Sequence, residues 1–428
     1  MRARKLWPWV LGLAVVGIAG AIRYNAVRND AELAEQLRLA WAEGIPTNAE
    51  QMATFYPPID SAKNAAPYYS ALFGKGNPRG YKELSEVLAF PSPKTIAAAE
   101  AVLKANSLWL SVGDRAVTFP LCQFYCDWRQ GSAMYLPEVR VIERLSDLYE
   151  LRAASAAARH DPKAAIGDIR RMLIIADHAS NAGFFKDCYS GRMRFAKALE
   201  LLAFFAFEIT PHRPYLDELR RVVKNFPAFD LKRELRDSLF YSLSALELYY
   251  SPSGREKLGL KPDDVRTEDH IFQALVSLKA TKISLLKRGR AVWHATEKSR
   301  HERVTYSDTE ITFGPWSYQR FVSGASSISM LRMPEGAENA RLQYVALIRA
   351  LEKGKPKTMS FPDLVSPIDN KPLTYENDGM SISIASMNEP DGHYKVKLTM
   401  PPYQVTSKRE EAQRAGTGIP PTAPTAKK

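Results

Sequence analysis

Between Glu138 and Tyr250 apolar side chains return every third or fourth residue, and this period is the strongest constraint on what the chain can fold into. In LPEVRVIERLSDLYELRAASAAARH the positions Ile142, Leu145 and Tyr149 form one apolar stripe, with Arg152 next in the same register. In the stretch that follows, Ile166, Ile169, Leu173 and Ala176 repeat the pattern. Only RHDP separates the two, with Asp161 as a helix cap and Pro162 as the first helical residue, so the helices are expected to pack antiparallel. Farther on, LLAFFAF is apolar on nearly every side and belongs inside a bundle, and Leu235, Leu239, Leu243 and Leu246 keep helical spacing. There is no fixed repeat period. The expected fold is mainly α, an irregular helical bundle or a set of stacked helical hairpins, rather than a regular solenoid.

The flanks extend this reading. Residues 30–44 have the composition of a short amphipathic helix ended by Gly44 and Pro46, and Ser92 followed by Pro93 predicts another helix start. A last helix carries Ala340, Tyr344, Leu347 and Leu351 on one stripe and stops at Gly354. The pattern then changes from a period near four to a period of two. KPLTYE, MSISIAS and HYKVKLTM read as strands, with Asn377, Asp378 and Gly379 as turn residues, so a small antiparallel β element over 361–405 is expected to pack on the helices. Residues 304–316 read as strand or loop, and the Pro-, Thr- and Ala-rich tail 406–428 as disordered.

Arg2, Arg4 and Lys5 precede an uncharged run from Leu6 to Ile22, which at roughly 1.5 Å per residue reaches about 25 Å, the short end of a bilayer span. Residues 1–28 are therefore expected to be a single-pass anchor in the inner membrane. The cations before the run place the N-terminus in the cytoplasm and the helical domain, 29–360, outside it. The alternative is a cleaved signal, with AGA at 19–21 as the processing site and a secreted or periplasmic product.

Several of these segments support a comparison. ENARLQYVALIRALEKGKPKTMSFPDLVSPIDNKPLTYENDGMSISIAS resembles the C-terminal end of a group of uncharacterised membrane-anchored bacterial helical proteins, in which a helix leads to a P..L segment, a DP-x-x-GKPL-x-Y strand and a second strand. The early Asn-Ala-Ala segment with its aromatic, Asn64 to Tyr68, and DW..G....LP over Asp127 to Pro137 resemble two further segments of the same group. The chain departs from the pattern at Ser366, where the group has Asp, and at Asn370, where it has Gly; the group's terminal acidic-glycine run is missing. The resemblance implies an architecture and no activity.

Motifs of known chemistry are sparse. The chain lacks HExxH, GxSxG, GxxxxGK and GxGxxG, so zinc protease, serine hydrolase, nucleotide and dinucleotide readings are set aside. Seven histidines are scattered and read as surface or capping residues, and Cys122 and Cys126, one helical turn apart, read as buried thiols rather than a bridge. Neither a metal nor a cofactor is implied. Asp127 beside Trp128 is the candidate catalytic acid of a hydrolase acting on envelope polymer; the simpler reading makes Asp127 a turn cap and Trp128 a packing residue. The net charge of +12 concentrates over 276–304, where Lys279, Lys282, Lys287, Arg288, Arg290 and Arg300 are the candidate contacts for anionic lipid or polymer. The overall expectation is a non-catalytic binding or scaffolding component of the bacterial envelope, with an envelope protein or acidic polymer as partner and no nucleic acid.

Overall fold

The computed structural model describes residues 27–75, 87, 92–134, 136, 138–182, 191, 194–195, 197–198, 201–202, 213–225, 230–257, 278–298, 333–354, 356–367, 370–378, 381–386 and 396–399. The Leu6–Ile22 run, the 304–316 segment, Arg300 and the tail from 406 lie outside them. Among the described residues no helix is long and apolar enough to cross a membrane.

The fold is mainly helical with a small antiparallel sheet. In chain order the helices are α1 (27–42), α2 (Ala49–Thr54), α3 (Ala66–Phe73), α4 (Pro93–Ala105), α5 (Ser107–Ala116), α6 (Glu138–Ala158), α7 (Pro162–Asn181), α8 (Arg213–Asn225), α9 (Leu231–Tyr250), α10 (Pro252–Lys257), α11 (Leu278–Ala295) and α12 (Met333–Glu352). The strands are β1 (Thr358–Val365), β2 (Pro372–Asn377), β3 (Ser381–Ser386) and β4 (Val396–Thr399). Two compact units share the chain. The first is assembled from Met1–Pro57, Cys126–Tyr135 and Asp230–Pro334, the second from Pro58–Tyr125, Leu136–Phe229 and Glu335–Lys428.

In the second unit α6 and α7 form an antiparallel hairpin. Asp161 accepts from the Ala164 amide at 3.0 Å and starts α7 at Pro162. His160 closes the turn in the left-handed region at φ 61°, and Arg152 reaches Asp168 symmetrically across it. The predicted stripes are buried, from Ile142 and Leu145 at 0 % exposure to Ala176 at 0 %. Because Ser146, Ser155 and the alanines of its last turns are buried as well, α6 is enclosed on nearly every side and forms the axis of the unit. Ala66, Tyr69 and Leu72 of α3 join the same core, and Ser92 starts α4 with a reciprocal capping box to Thr95.

The sheet is a four-stranded meander, β1-β2-β3-β4, with every pairing antiparallel. Phe361, Leu373, Tyr375 and Ile384 belong to the same core cluster as Tyr344, Leu347 and Leu351 of α12, and Gln343 donates to the Ile384 carbonyl at 3.2 Å. The strand reading omits β1, which begins at Thr358, ahead of the expected boundary at 361. Pro362 argues against a strand unless the strand is an edge. β1 is an edge, and its register shifts between Phe361 and Val365, where the proline sits. Asn370 takes φ 57°, a conformation that glycine adopts freely and asparagine tolerates.

In the first unit α9 packs on α11, with Leu235, Leu239, Leu243 and Leu246 buried. Gly289 permits the approach, because a Cβ there would collide with the Leu239 side chain. A short 3-10 segment, Trp128–Ala133, docks on α9 by a hydrogen bond from the Ser132 amide to Ser244 Oγ at 2.9 Å.

Candidate functional site

Asp127, the candidate acid, is held as a cap. Its carboxylate accepts from the Arg129 amide at 3.3 Å and from Gln130 Nε2 at 3.2 Å, starting the 3-10 segment. Trp128 is 7 % exposed and packs between Tyr56, 5.0 Å between ring centroids, and Phe240 at 6.0 Å. Gly131 sits at φ 50°, and a side chain there would overlap the Ser244 hydroxyl. The DW..G segment thus comprises a cap, a packing indole and a glycine required by both its backbone and its neighbour.

The carboxylate of this unit that burial shifts upward is a different one. Asp237 of α9 is 1 % exposed and accepts from the Tyr56 hydroxyl. Arg233 Nε donates to the same Tyr56 oxygen at 3.2 Å, and Arg236 Nε lies 3.4 Å from Asp237 Oδ1. Both guanidinium groups also cover aromatic faces, Arg236 over Phe55 at 4.3 Å and Arg233 over Tyr56 at 5.4 Å. Burial pushes the Asp237 carboxyl up to about 6, against the Tyr56 hydrogen bond and the Arg236 charge, which lower it. Burial, with the Asp237 charge added, likewise raises the Tyr56 phenol. Chemically this is an enclosed acid, phenol and guanidinium cluster that ties the 55–56 segment to α9. Its sequence signal was slight: Arg233 and Arg236 flank the buried register of α9, but Tyr56 lies 181 positions away.

The basic helix α11 carries Lys279, Lys282, Lys287, Arg288 and Arg290 and no carboxylate of its own. Its counter-charges come from other helices. Lys279 pairs with Asp30, Lys287 with Glu32 and Lys282 with Glu247. Arg290 Nε donates to Glu43 at 2.9 Å and its Nη1 to Gln36 at 2.9 Å, while His294 lies 3.3 Å from Glu43. The Arg290 hydrogen bond holds the Glu43 carboxyl below the usual carboxylate range. Arg288 points the other way and is 3 % exposed, so Lys282, Arg288 and Arg290 do not share an exposed face.

In the second unit the charged groups cluster on the α6–α7 hairpin. Arg152 Nε donates to both Asp168 oxygens at 3.0 and 2.9 Å and its Nη2 to Asp114 at 3.1 Å. Arg171 joins both acids at 3.0 and 2.9 Å, and Tyr149 donates to Asp114 at 3.0 Å. Burial raises the Asp168 carboxyl, offset in part by Arg152. Burial also raises Glu150, whose partner is Lys197.

Of the surface and capping roles read for the histidines, His178 has no surface role: it is buried and bonds a backbone carbonyl. It is 1 % exposed, with Nε2 3.0 Å from the Phe119 carbonyl and Nδ1 2.7 Å from the Tyr69 hydroxyl. The carbonyl can only accept, so Nε2 carries the proton and Nδ1 accepts from Tyr69. Burial pulls its pKa down to about 4, opposed by the Phe119 hydrogen bond. The Asn-Ala-Ala segment belongs to the same region. Asn64 pairs its side chain with the Gln123 backbone in both directions, at 2.9 and 3.0 Å, and caps the Ala66 amide at 3.0 Å.

Cys122 and Cys126 are not bridged to each other. Among the described residues no group of three or more His, Cys, Asp or Glu side chains is arranged to hold a metal ion. No protein-family model, curated protein or solved structure matches the chain.

Proposed function

We propose that this chain is a non-catalytic binding or scaffolding protein of the bacterial envelope, held at the inner membrane by the Leu6–Ile22 run with its body on the extracytoplasmic side. The observation that carries the reading is how its candidate chemical groups are engaged. Asp127 caps a turn, and Asp237, Asp114 and Asp168 each sit against guanidinium groups that fix them in place. A glycosidase needs two carboxyl groups facing a cleft with a sugar between them. Here the acids serve the helices that carry them, which supports a body built to present a surface.

The test is crosslinking in intact cells with tagged full-length protein, followed by detergent extraction and purification. A single envelope protein recovered in stoichiometric amount, and rebinding when both are purified, is the expected result. Release of fragments from purified envelope polymer by the intact chain, abolished by Asp127→Asn, would replace this reading with the hydrolase.

A further inference from the structure

The charges of α11 and α1 form a matched set. By helical rotation of ~100° per residue, Lys279, Lys287, Arg290 and His294 fall on one side of α11, and Arg288 on the other. Their partners Asp30, Glu32, Gln36 and Glu43 follow the same order along α1 and the turn after it. The packing beneath is light rather than absent, since Ala40 of α1 is buried and Leu33, Leu37 and Leu39 are half-buried. Lys279 and Asp30 keep 48 % and 55 % of their side-chain surface in solvent, and Lys287 and Glu32 keep 51 % and 31 %. Ion pairs this exposed contribute little each and are screened by salt, whereas Arg290 and Glu43, at 18 % and 19 %, form the more enclosed end of the set. Charge therefore adds to the light apolar packing that holds α1 where it lies, and a denser array of negative charge competes for the same cations.

We infer that α1 is a charge-held strap over an anion-binding face of α11, formed by Lys279, Lys287 and Arg290, and that the uncovered face takes the phosphate headgroups of anionic phospholipid. The inference rests on the anchored reading above, which leaves only residues 23–26 between the apolar run and α1 and so sets the strap at the bilayer surface. The acidic strap occupies the cations until a surface richer in negative charge displaces it.

Full-length protein and two variants test this, one with the strap neutralised (Asp30→Asn, Glu32→Gln, Glu43→Gln) and one with the face neutralised (Lys279→Gln, Lys287→Gln, Arg290→Gln). Backbone hydrogen exchange over 27–42 is expected to quicken roughly tenfold in high salt, the summed effect of the two exposed pairs, Lys279–Asp30 and Lys287–Glu32. Adding phosphatidylglycerol to phosphatidylcholine vesicles should do the same. The gain in vesicle binding that phosphatidylglycerol produces should rise several-fold in the strap variant and vanish in the face variant. Exchange indifferent to salt, or an equal gain in both variants, overturns the inference. Release of the strap by soluble polyphosphate but not by phosphatidylglycerol vesicles overturns the lipid assignment. The anchor is read separately: extraction of the full chain from pure phosphatidylcholine vesicles by an alkaline wash refutes the anchored reading, while the phosphatidylglycerol-dependent gain still decides the face.

Discussion

The two units carry charge differently. In the first, Lys279, Lys282 and Lys287 of α11 meet carboxylates contributed by other helices, and in each pair at least one side chain is exposed. In the second, Arg152 is part of the α6–α7 hairpin itself, with the Asp168 side chain only 3 % exposed and hydrogen-bonded twice to the same guanidinium nitrogen. An exposed pair exchanges water for a partner at little net gain, whereas a buried carboxylate stripped of its partner retains the whole desolvation cost. Charge on the α6–α7 hairpin is thus a condition of folding, and at Lys279 and Lys287 of α11 it is an adjustable contact.

The sharpest test of that contrast is Arg152→Ala. Removing the guanidinium leaves Asp168 buried with Arg171 still beside it, and is expected to cost about 3–5 kcal/mol. The loss should register as a lower denaturant midpoint for protection of α6 and α7, nearly independent of salt. Arg171→Ala, which removes the more exposed partner at 36 %, should cost about 1 kcal/mol. Equal losses from the two would break the distinction between buried and exposed pairs.

The first unit's own large sensitivity should be steric. Gly131→Ala combines φ 50° with a methyl group driven into Ser244, and is expected to destabilise the packing of the 3-10 segment on α9 by about 3 kcal/mol. Adding Ser244→Gly clears the collision and should recover only part of the loss, because the backbone strain stays and the Ser132–Ser244 hydrogen bond goes with the hydroxyl. Full recovery would show that the collision was the whole effect.

Acid should act in opposite senses on one buried group from each unit. His178 has a folded pKa near 4, below its ordinary 6.5, so the unfolded chain binds more protons between those values. Its contribution of about 3 kcal/mol is complete above pH 6.5 and is lost as pH falls toward 4. Asp237 is the reverse. Its folded pKa near 6 lies above the ordinary 3.8, so the folded chain holds the extra proton, and stability falls by about 3 kcal/mol as pH rises through that window. Asp168 and Glu150 share the sign of Asp237, so the comparison is made by variants: His178→Gln should flatten the loss of protection in α7 as pH falls, and Asp237→Asn the loss in α9 as pH rises toward 6. The two variants shifting protection in the same direction would refute the assignment.

These residues also mark how far the sequence could be read. The α6–α7 hairpin, the Asp161–Pro162 start and the C-terminal strands were legible because each depends on neighbours a few positions away. β1 was not, since Pro362 argues against a strand until the strand is known to lie at an edge. His178 and Asp237 were missed for a different reason. Their partners Tyr69 and Tyr56 stand 109 and 181 positions away, and no local period encodes a contact of that span. For Asp127, the capping reading matches the geometry found, while the charge count of α11 gave no sign that acids from α1 and α9 would meet it.

The smallest expected effect bears on α11 most directly. Lys287→Gln removes one end of the pair with Glu32, and the change in global stability should stay within about 1 kcal/mol because both side chains keep water contact. The same substitution should still speed exchange in α1 at low salt, and the difference from the unaltered chain should fade as salt rises, since screening has by then weakened the pair in both. Lys282→Gln makes the control: its partner Glu247 lies on α9, so α1 should be unmoved. If Lys287→Gln instead loosened α9 and α11 together, the pair would belong to the folding core of the first unit, and charge would serve both units in the same way.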